Sequence, residues 1–341
     1  MRPSDEGRLM KAIRMHAYGD AGVLRLEDAP PMALGPRDLR IAVKATSVNP
    51  IDFKVREGVQ RALIRLSMPA TLGMDVSGVV TEVGAKVRGF AVGDEVFGSP
   101  SHRRMGCYAE EVVVSASECA HKPASLDHHE AAALPLVGLT AWDALVGACD
   151  LRPGQRVLIQ AGSGGVGTVA IQLAKHLGAE VLTTCSERNA ELVRGLGADR
   201  VIDYRAERFE DVADGCDAVL ESIGGDDMRR AVATVRRGGV VASITPGLPA
   251  YTKKHGPWLG VAAFALTLVP LVVRARLTRG VKLRLVTRRA SGANLAKLGE
   301  LVERGALRPV IDRVYPLAEA AEAHRYLETG RARGKVVLAV G

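Results

Sequence analysis

Aromatic residues make up only 4% of this 341-residue chain. The core is therefore built mostly from Ala, Val and Leu, and a base-stacking platform for single-stranded nucleic acid is excluded. Cysteines number five and are scattered, at Cys107, Cys119, Cys149, Cys185 and Cys216, with no CxxC pair. An odd, dispersed set excludes a disulfide scaffold and reads as reduced thiols of a cytoplasmic protein. The first ten residues are polar and hold no apolar run, so no secretory signal is expected there, and the fold signal begins near Lys11. Acidic residues are absent from Met228 to Gly299, a segment that holds 14 Lys and Arg. The net charge of +8 is thus concentrated in one stretch of sequence. What remains is ordinary for a globular protein: 47% hydrophobic and 25% charged residues. The length predicts about two domains with sizeable cores, and 37 glycines predict tight turns and close backbone approaches.

The texture changes along the chain. Residues 11–120 read as short β segments with glycine joints, as at Leu39–Ala45, Asp75–Val83, Asp94–Phe97 and Tyr108–Val114. Near Leu126 the pattern turns helical. From Gln155, apolar strands alternate with helices: Arg156–Gln160, helix Thr168–Leu177, Glu180–Cys185, helix Asn189–Leu196, then Val201-Ile202, Ala218–Leu220 and Val240–Ile244. This alternation predicts an α/β fold with a doubly wound parallel sheet covered by helices. From Leu307 the chain reverts to strands, Pro309–Val314 and Lys335–Val340, around a helix at Leu317–Leu327. The expected division is therefore 1–124 with 307–341 as a β-rich substrate and catalytic domain, and 125–306 as a dinucleotide-binding domain.

The motif with most chemical content is Ala161–Gly167, AGSGGVG, in which Gly162, Gly164 and Gly167 satisfy G-x-G-x-x-G. It follows a strand, opens a helix and sits in a βαβ unit, the context this pattern requires. Gly162 is expected to permit the tight turn, Gly164 to let a pyrophosphate approach bare backbone, and Gly167 to bring helix and strand close. The phosphates would lie on the helix N-terminus, with Ser163, Gly165 and Val166 completing the loop.

The second strand selects the nucleotide. An NAD site ends that strand with an acid for the ribose diol. Here it ends Thr184-Cys185-Ser186, with Arg188 close by and Lys175 on the preceding helix. A hydroxyl and a cation suit a 2′-phosphate, so NADPH is expected. Glu187, if turned inward, would favour NADH instead.

Residues 256–273 carry no charge, and seven basic residues follow between Arg274 and Arg289. The run is short for a membrane span and contains Pro257 and Pro270. The remaining alternatives are weak peripheral contact of 256–289 with an anionic membrane, or packing at a subunit interface or ligand cleft, the reading preferred here. A nucleic-acid role lacks interleaved aromatics and any fold signature.

Taken together, several segments resemble the medium-chain dehydrogenase/reductase superfamily. They are Asn49–Asp52 with Arg56–Gly58, Leu72–Gly78, Gly93–Val96, Leu136–Trp142, Ala161–Gly167, Leu196–Tyr204, Glu221–Gly225 and Arg333–Val336. The resemblance spans about Lys11 to Val340. It is strongest to the zinc-free quinone oxidoreductase (zeta-crystallin-like) branch, in the group of the reticulon-interacting mitochondrial reductase and its bacterial relatives. It implies a GroES-like β-rich domain beside a Rossmann domain. Zinc members place ligands where this chain has Asn49, Met74-Asp75 and Val137, and lack of thiolate or imidazole there implies no zinc. His128 and His129 are read as exposed.

By the same resemblance, Asn49 holds substrate or nicotinamide, and Thr140 contacts the nicotinamide side. Asp52 orients their loop or caps a helix. Tyr204 reaches the adenosine phosphate, and Lys335 returns near the cofactor. Ser222, Ile223 and Gly224, with Thr245 and Pro246, end strands four and five, where an open parallel sheet forms its crevice. Specificity elements are expected in loops 53–70 and 246–280. No residue has the look of a general acid.

The expected activity is NADPH-dependent, zinc-free reduction of quinones or α,β-unsaturated carbonyls, whose hydride adducts already delocalise charge. Rivals are an enoyl-thioester reductase of the same fold, and a nucleotide-binding membrane-surface or nucleic-acid-associated protein with little turnover. A homodimer joined through the last Rossmann strand near Lys282–Val286 is also expected.

Overall fold

The computed structural model describes residues 7–61, 63–244 and 247–341. Two sets of strands organise it, and each belongs to its own compact unit. One unit is the chain up to Leu139 together with Ala290–Gly341, and the other is Thr140–Arg289.

In the first unit the organising element is β3 (Asp38–Val48), eleven residues buried along nearly their whole length. Its neighbours are β1 (Met10–Met15) and β2 (Arg25–Ala29) before it, then β4 (Ala70–Thr71), β5 (Val76–Val83), β6 (Glu95–Gly98), β7 (Glu111–Ser115) and β8 (Cys119–His121). The C-terminal strands β15 (Ile311–Pro316) and β16 (Lys335–Ala339) complete a seven-stranded sheet ordered β15-β16-β3-β5-β6-β8, with β7 also on β3. β5 runs antiparallel along one edge of β3. The other edge is shared, β7 taking Asp38–Ala42 and β16 taking Ala45–Val48. The chain end thus returns to the first strands, as its texture predicts. A smaller sheet, β2-β1-β4, packs into the same core through Ile13 and Met15.

Helices α1 (Pro50–Arg56), α2 (His128–Ala132), α10 (Gly292–Glu303) and α11 (Ala320–Glu328) belong to this unit, and α3 (Pro135–Trp142) runs across the boundary at 139/140. α2 starts at a reciprocal cap: Asp127 accepts from Glu130 N at 2.8 Å and Glu130 accepts from Asp127 N at 3.0 Å. The unit boundaries fall later and earlier than the texture placed them, at 139/140 and 289/290 instead of 124/125 and 306/307. The cause is packing: α2 lies on β3 and β5, and α10 approaches β8 so closely that a Cβ on Gly292 would meet the Cys119 carbonyl at 2.1 Å. Helical texture does not by itself assign a helix to the helical domain.

The second unit is one six-stranded parallel sheet in the order β11-β10-β9-β12-β13-β14. Its strands are β9 (Arg156–Ile159), β10 (Glu180–Cys185), β11 (Arg200–Asp203), β12 (Cys216–Glu221), β13 (Val235–Ser243) and β14 (Lys282–Leu285). Helices α4 (Gly165–His176), α5 (Ala190–Gly195), α6 (Phe209–Val212), α7 (Asp226–Thr234), α8 (Leu248–His255) and α9 (Pro257–Arg279) make the connections. The central strands β9 and β12 are buried along most of their length, as parallel strands covered on both faces are. The order reverses beside β9, so a crevice opens at the carboxyl ends of β9 and β12. Residues 246–280, expected as a loop, contain the helices α8 and α9. Of the loop expected at 53–70, the first part belongs to α1.

Candidate functional site

The G-x-G-x-x-G turn joins β9 to α4, whose N-cap is Gly164. The left-handed residue of this turn is Ala161, with φ 51°, and not Gly162. What Gly162 supplies is room: a Cβ there would sit 2.0 Å from Thr183 Oγ1. A Cβ on Gly167 would meet the Ala161 carbonyl at 2.3 Å, so this glycine sets how closely α4 leaves the turn. At Gly164 the nearest atom is that same carbonyl at 3.3 Å, so this position is comparatively open. Bare amides at the start of α4, those of Gly165 and Val166 included, form a cradle that fits a pyrophosphate. Ser163 Oγ accepts from Asn189 Nδ2 at 2.9 Å, and the buried Asn189 Oδ1 has no protein partner. Sequence reasoning passed over Asn189; its place at the start of a helix after β10 was the available signal.

At the end of β10, Ser186 is buried, while Glu187 and Arg188 are both exposed. Lys175, a candidate cation, is paired with Asp199 at 2.9 Å. Tyr204 follows β11 and is 57% exposed. Ser222 Oγ donates to the Gln160 carbonyl at 3.0 Å. The turn of Ser222, Ile223 and Gly224 is held by Glu221: its Oε1 accepts from Ile223 N at 2.7 Å and also from Gly224 N, and its Oε2 accepts from Ser243 Oγ at 2.5 Å. Burial raises the Glu221 carboxyl above its ordinary range. Glu221 stood inside a recognised motif, but no local pattern marked it as the clamp. Thr245 and Pro246 lie outside the described residues.

The first unit holds a second polar cluster. Asn49, and not Asp52, is the N-cap of α1, and Asp52 in its first turn accepts from Asn49 N at 2.8 Å. Asn49 Nδ2 donates to Asp75 Oδ2 at 2.8 Å, and its Oδ1 accepts from Lys335 Nζ. Lys335 also lies 3.3 Å from Asp75 Oδ2 and 3.4 Å from the Val48 carbonyl. Asp75 further accepts from Ser47 Oγ at 2.6 Å and, through Oδ1, from Leu136 N at 2.7 Å near the start of α3. Thr140, one turn further along α3, is largely buried.

Asp52 leads into a third set of contacts. Its Oδ2 accepts from the Tyr108 hydroxyl at 3.0 Å, and Tyr108 lies 3.2 Å from His324 Nε2. His324 Nδ1 faces Arg56 at 3.1 Å, and Arg56 pairs with Glu328 at 2.6 Å. Burial pushes Asp52 up to about 7 and His324 down to about 3. Tyr108 precedes β7 rather than opening it, because its ring and hydroxyl are drawn into this buried cluster.

Asn49, Asp52 and Lys335 are therefore brought together, but all are sealed, with Asn49 and Asp52 at 0% exposure. Asn49's amide donates to Asp75 and accepts from Lys335, so these protein partners fix the orientation of its side chain. Lys335 is not solvated. His128, expected exposed, is half-buried and bonded to Ser77 Oγ at 2.8 Å.

The donor set does not fit zinc. Where zinc relatives carry ligands, this chain has an amide, one carboxylate, and two apolar side chains, Met74 and Val137, and the ammonium of Lys335 already occupies the carboxylate. Among the described residues no group of three His, Cys, Asp or Glu side chains is placed to hold a metal. The five cysteines are buried and free.

Residues 35–124 match the alcohol dehydrogenase GroES-like domain, and residues 196–338 match the family described as zinc-binding dehydrogenase. Mouse mitochondrial NAD(P)H oxidoreductase RTN4IP1 is 39% identical over 99% of this chain and 91% of its own length. The chain belongs to the quinone oxidoreductase branch of the medium-chain dehydrogenase/reductases. An Arabidopsis thaliana chloroplastic NADPH-dependent alkenal/one oxidoreductase is 35% identical, covering 96% of this chain and 79% of that protein. The solved quinone oxidoreductase of Coxiella burnetii superposes with a TM-score of 0.86 at 35% identity, over 98% of this chain and 100% of its own. This oxidoreductase thus combines a GroES-like domain with a Rossmann-like one. The mouse relative is named as mitochondrial and the Arabidopsis thaliana one as chloroplastic.

Proposed function

We propose that this chain is an NADPH-dependent reductase that transfers hydride to quinones or α,β-unsaturated carbonyls without zinc. The observation that carries the reading is the pairing of an intact Gly162–Gly167 cradle with a metal locus filled by the Asn49–Asp75–Lys335 cluster. Bound NADPH would supply the hydride. The protein supplies orientation: the α4 N-terminus holds the pyrophosphate, and Ser186 with Arg188 receives the 2′-phosphate. The Glu221-held turn Ser222–Gly224 lines the nucleotide, and Tyr204 packs toward the adenosine end. Thr140 orients the nicotinamide side.

A quinone or enone suits this site because the charge left by hydride addition spreads over a conjugated oxygen and needs no Lewis acid. The proton then comes from solvent, since Asp52, Tyr108 and His324 are sealed. Small molecules of these classes are the proposed substrates. A homodimer through the open β14 edge is also proposed. That edge carries Lys282 and Arg284, so the dimer should tighten as salt screens them.

The test is absorbance of NADPH and of NADH with purified protein, a small quinone and a small enone, chelator present throughout. Turnover with NADPH preferred is expected. Turnover that needs added zinc, or none with any quinone, enone or enoyl thioester despite tight nucleotide binding, would overturn the reading.

A further inference from the structure

Helix α9 is the crossover between the parallel strands β13 and β14. Its inward side packs through Gly260, Leu268 and Ala275, all buried. The opposite side is also apolar. Trp258, Ala262, Leu266, Val269, Val273 and Leu277 recur every three or four residues and form one exposed stripe. Trp258 is 74% exposed, Leu266 77% and Leu277 79%, so nothing among the described residues covers the stripe. It extends about 29 Å along the helix. A stripe of this length is far more than the scattered apolar residues of an ordinary surface.

Charge identifies the occupant. Exposed cations stand at both ends of the stripe: Lys253 and Lys254 end α8, and Arg274 and Arg276 lie in the last turns of α9. With no acidic residue from Met228 to Gly299, no carboxylate within the segment neutralises them. A second copy docking face to face on the stripe would oppose like charges. A neutral apolar protein groove would leave the cations unused.

We propose that α9 is a docking face for anionic lipid bilayers, lying in the membrane plane with its stripe in the acyl boundary and its cations among the headgroups. It does not cross the bilayer, although it is long and apolar enough by composition. As a crossover helix it is fixed to the sheet at both ends, and spanning would tear β14 from β13. Trp258 sits at the stripe's start, where an aromatic ring anchors well at a headgroup boundary. This surface is independent of the reductase chemistry.

The test is flotation of the full-length protein with vesicles of phosphatidylcholine alone or mixed with phosphatidylglycerol, at low and high salt. Binding is expected to the mixed vesicles only, with release by high salt. Leu266→Glu should weaken it about tenfold or more, and Arg274→Gln about fivefold. Thermal unfolding of both variants, with midpoints near wild type, shows that the exposed substitutions leave the fold intact. The proposal is overturned if folded wild type ignores anionic vesicles. It is equally overturned if binding survives high salt, or if Leu266→Glu binds unchanged. A smaller sedimenting species for Leu266→Glu without any vesicle binding would assign the stripe to self-association instead.

Discussion

Asp52 and His324 share one bridging group: the Tyr108 hydroxyl lies 3.0 Å from Asp52 Oδ2 and 3.2 Å from His324 Nε2. The direction of the chain follows from Arg56. A guanidinium only donates, so His324 Nδ1, 3.1 Å away, accepts and Nε2 carries the proton. His324 then donates to Tyr108, and Tyr108 donates to Asp52. Tyr108→Phe keeps the ring's packing and removes the bridge, leaving the buried His324 Nε2 proton without its acceptor and Asp52 Oδ2 with the Asn49 amide alone. A loss of about 1–3 kcal/mol in denaturant unfolding is expected. An unchanged midpoint would mean the bridge contributes nothing net.

The same pair sets an acid-range pH profile. Asp52 titrates near 7 in the folded chain against an ordinary 3.8, so the folded state holds the extra proton and this group's contribution falls as pH rises from about 4 to 7. His324 titrates near 3 against an ordinary 6.5, so the unfolded state holds the extra proton and its contribution rises with pH from about 3 to 6.5. The two slopes oppose each other between about 4 and 6.5. Asp52→Asn should therefore expose a stability that climbs with pH there, by up to about 1.4 kcal/mol per unit. His324→Gln should expose one that falls. Parallel profiles for the two variants would refute the assignment.

Lys335 and Asp75 form a buried ion pair, and removing one partner strands the other. Lys335→Met should cost about 3–5 kcal/mol in unfolding free energy. Adding Asp75→Asn should then cost less than it does alone, because the carboxylate no longer waits for its cation. Additive losses in that double-mutant cycle would show that the two charges do not support one another.

The fold was legible because parallel strands announce themselves. β10 begins and ends where its strand-forming run Glu180–Cys185 does, since its β-branched residues are buried on both faces. The glycine cradle was legible for the same local reason. Ala161 was not, because which residue of a turn takes the left-handed conformation depends on what Gly162 must clear across the sheet. Asp75 and Glu221 both sat within recognised motifs. Their partners, Lys335 and Leu136 for one and Ser243 for the other, are remote in sequence, and only folding joins them. α9 was misread as loop because it is apolar on both sides and holds two prolines, so its helical stripe has no polar counterpart.

Nucleotide choice rests on a single exposed cation in the proposed site. Arg188→Ala should weaken NADPH binding about tenfold, the loss of one charge-assisted contact, and leave NADH binding unchanged. Fluorescence titration with each nucleotide measures this. Equal losses for both would move Arg188 away from the 2′-phosphate.

Glu221 separates charge from geometry. Its Oε1 takes the amides of Ile223 and Gly224, and its Oε2 takes the Ser243 hydroxyl. Glu221→Leu leaves both amides without their acceptor, a loss of about 1–3 kcal/mol for each that stays buried. The turn at the end of β12 should loosen and NADPH affinity should fall about tenfold or more. Glu221→Gln keeps one oxygen for the amides, and its NH2 can donate to Ser243, whose hydroxyl accepts as readily as it donates. Near-wild-type affinity is expected for Gln and weak binding for Leu. Were Gln as damaging as Leu, the negative charge itself, and not the clamp, would be what the turn requires.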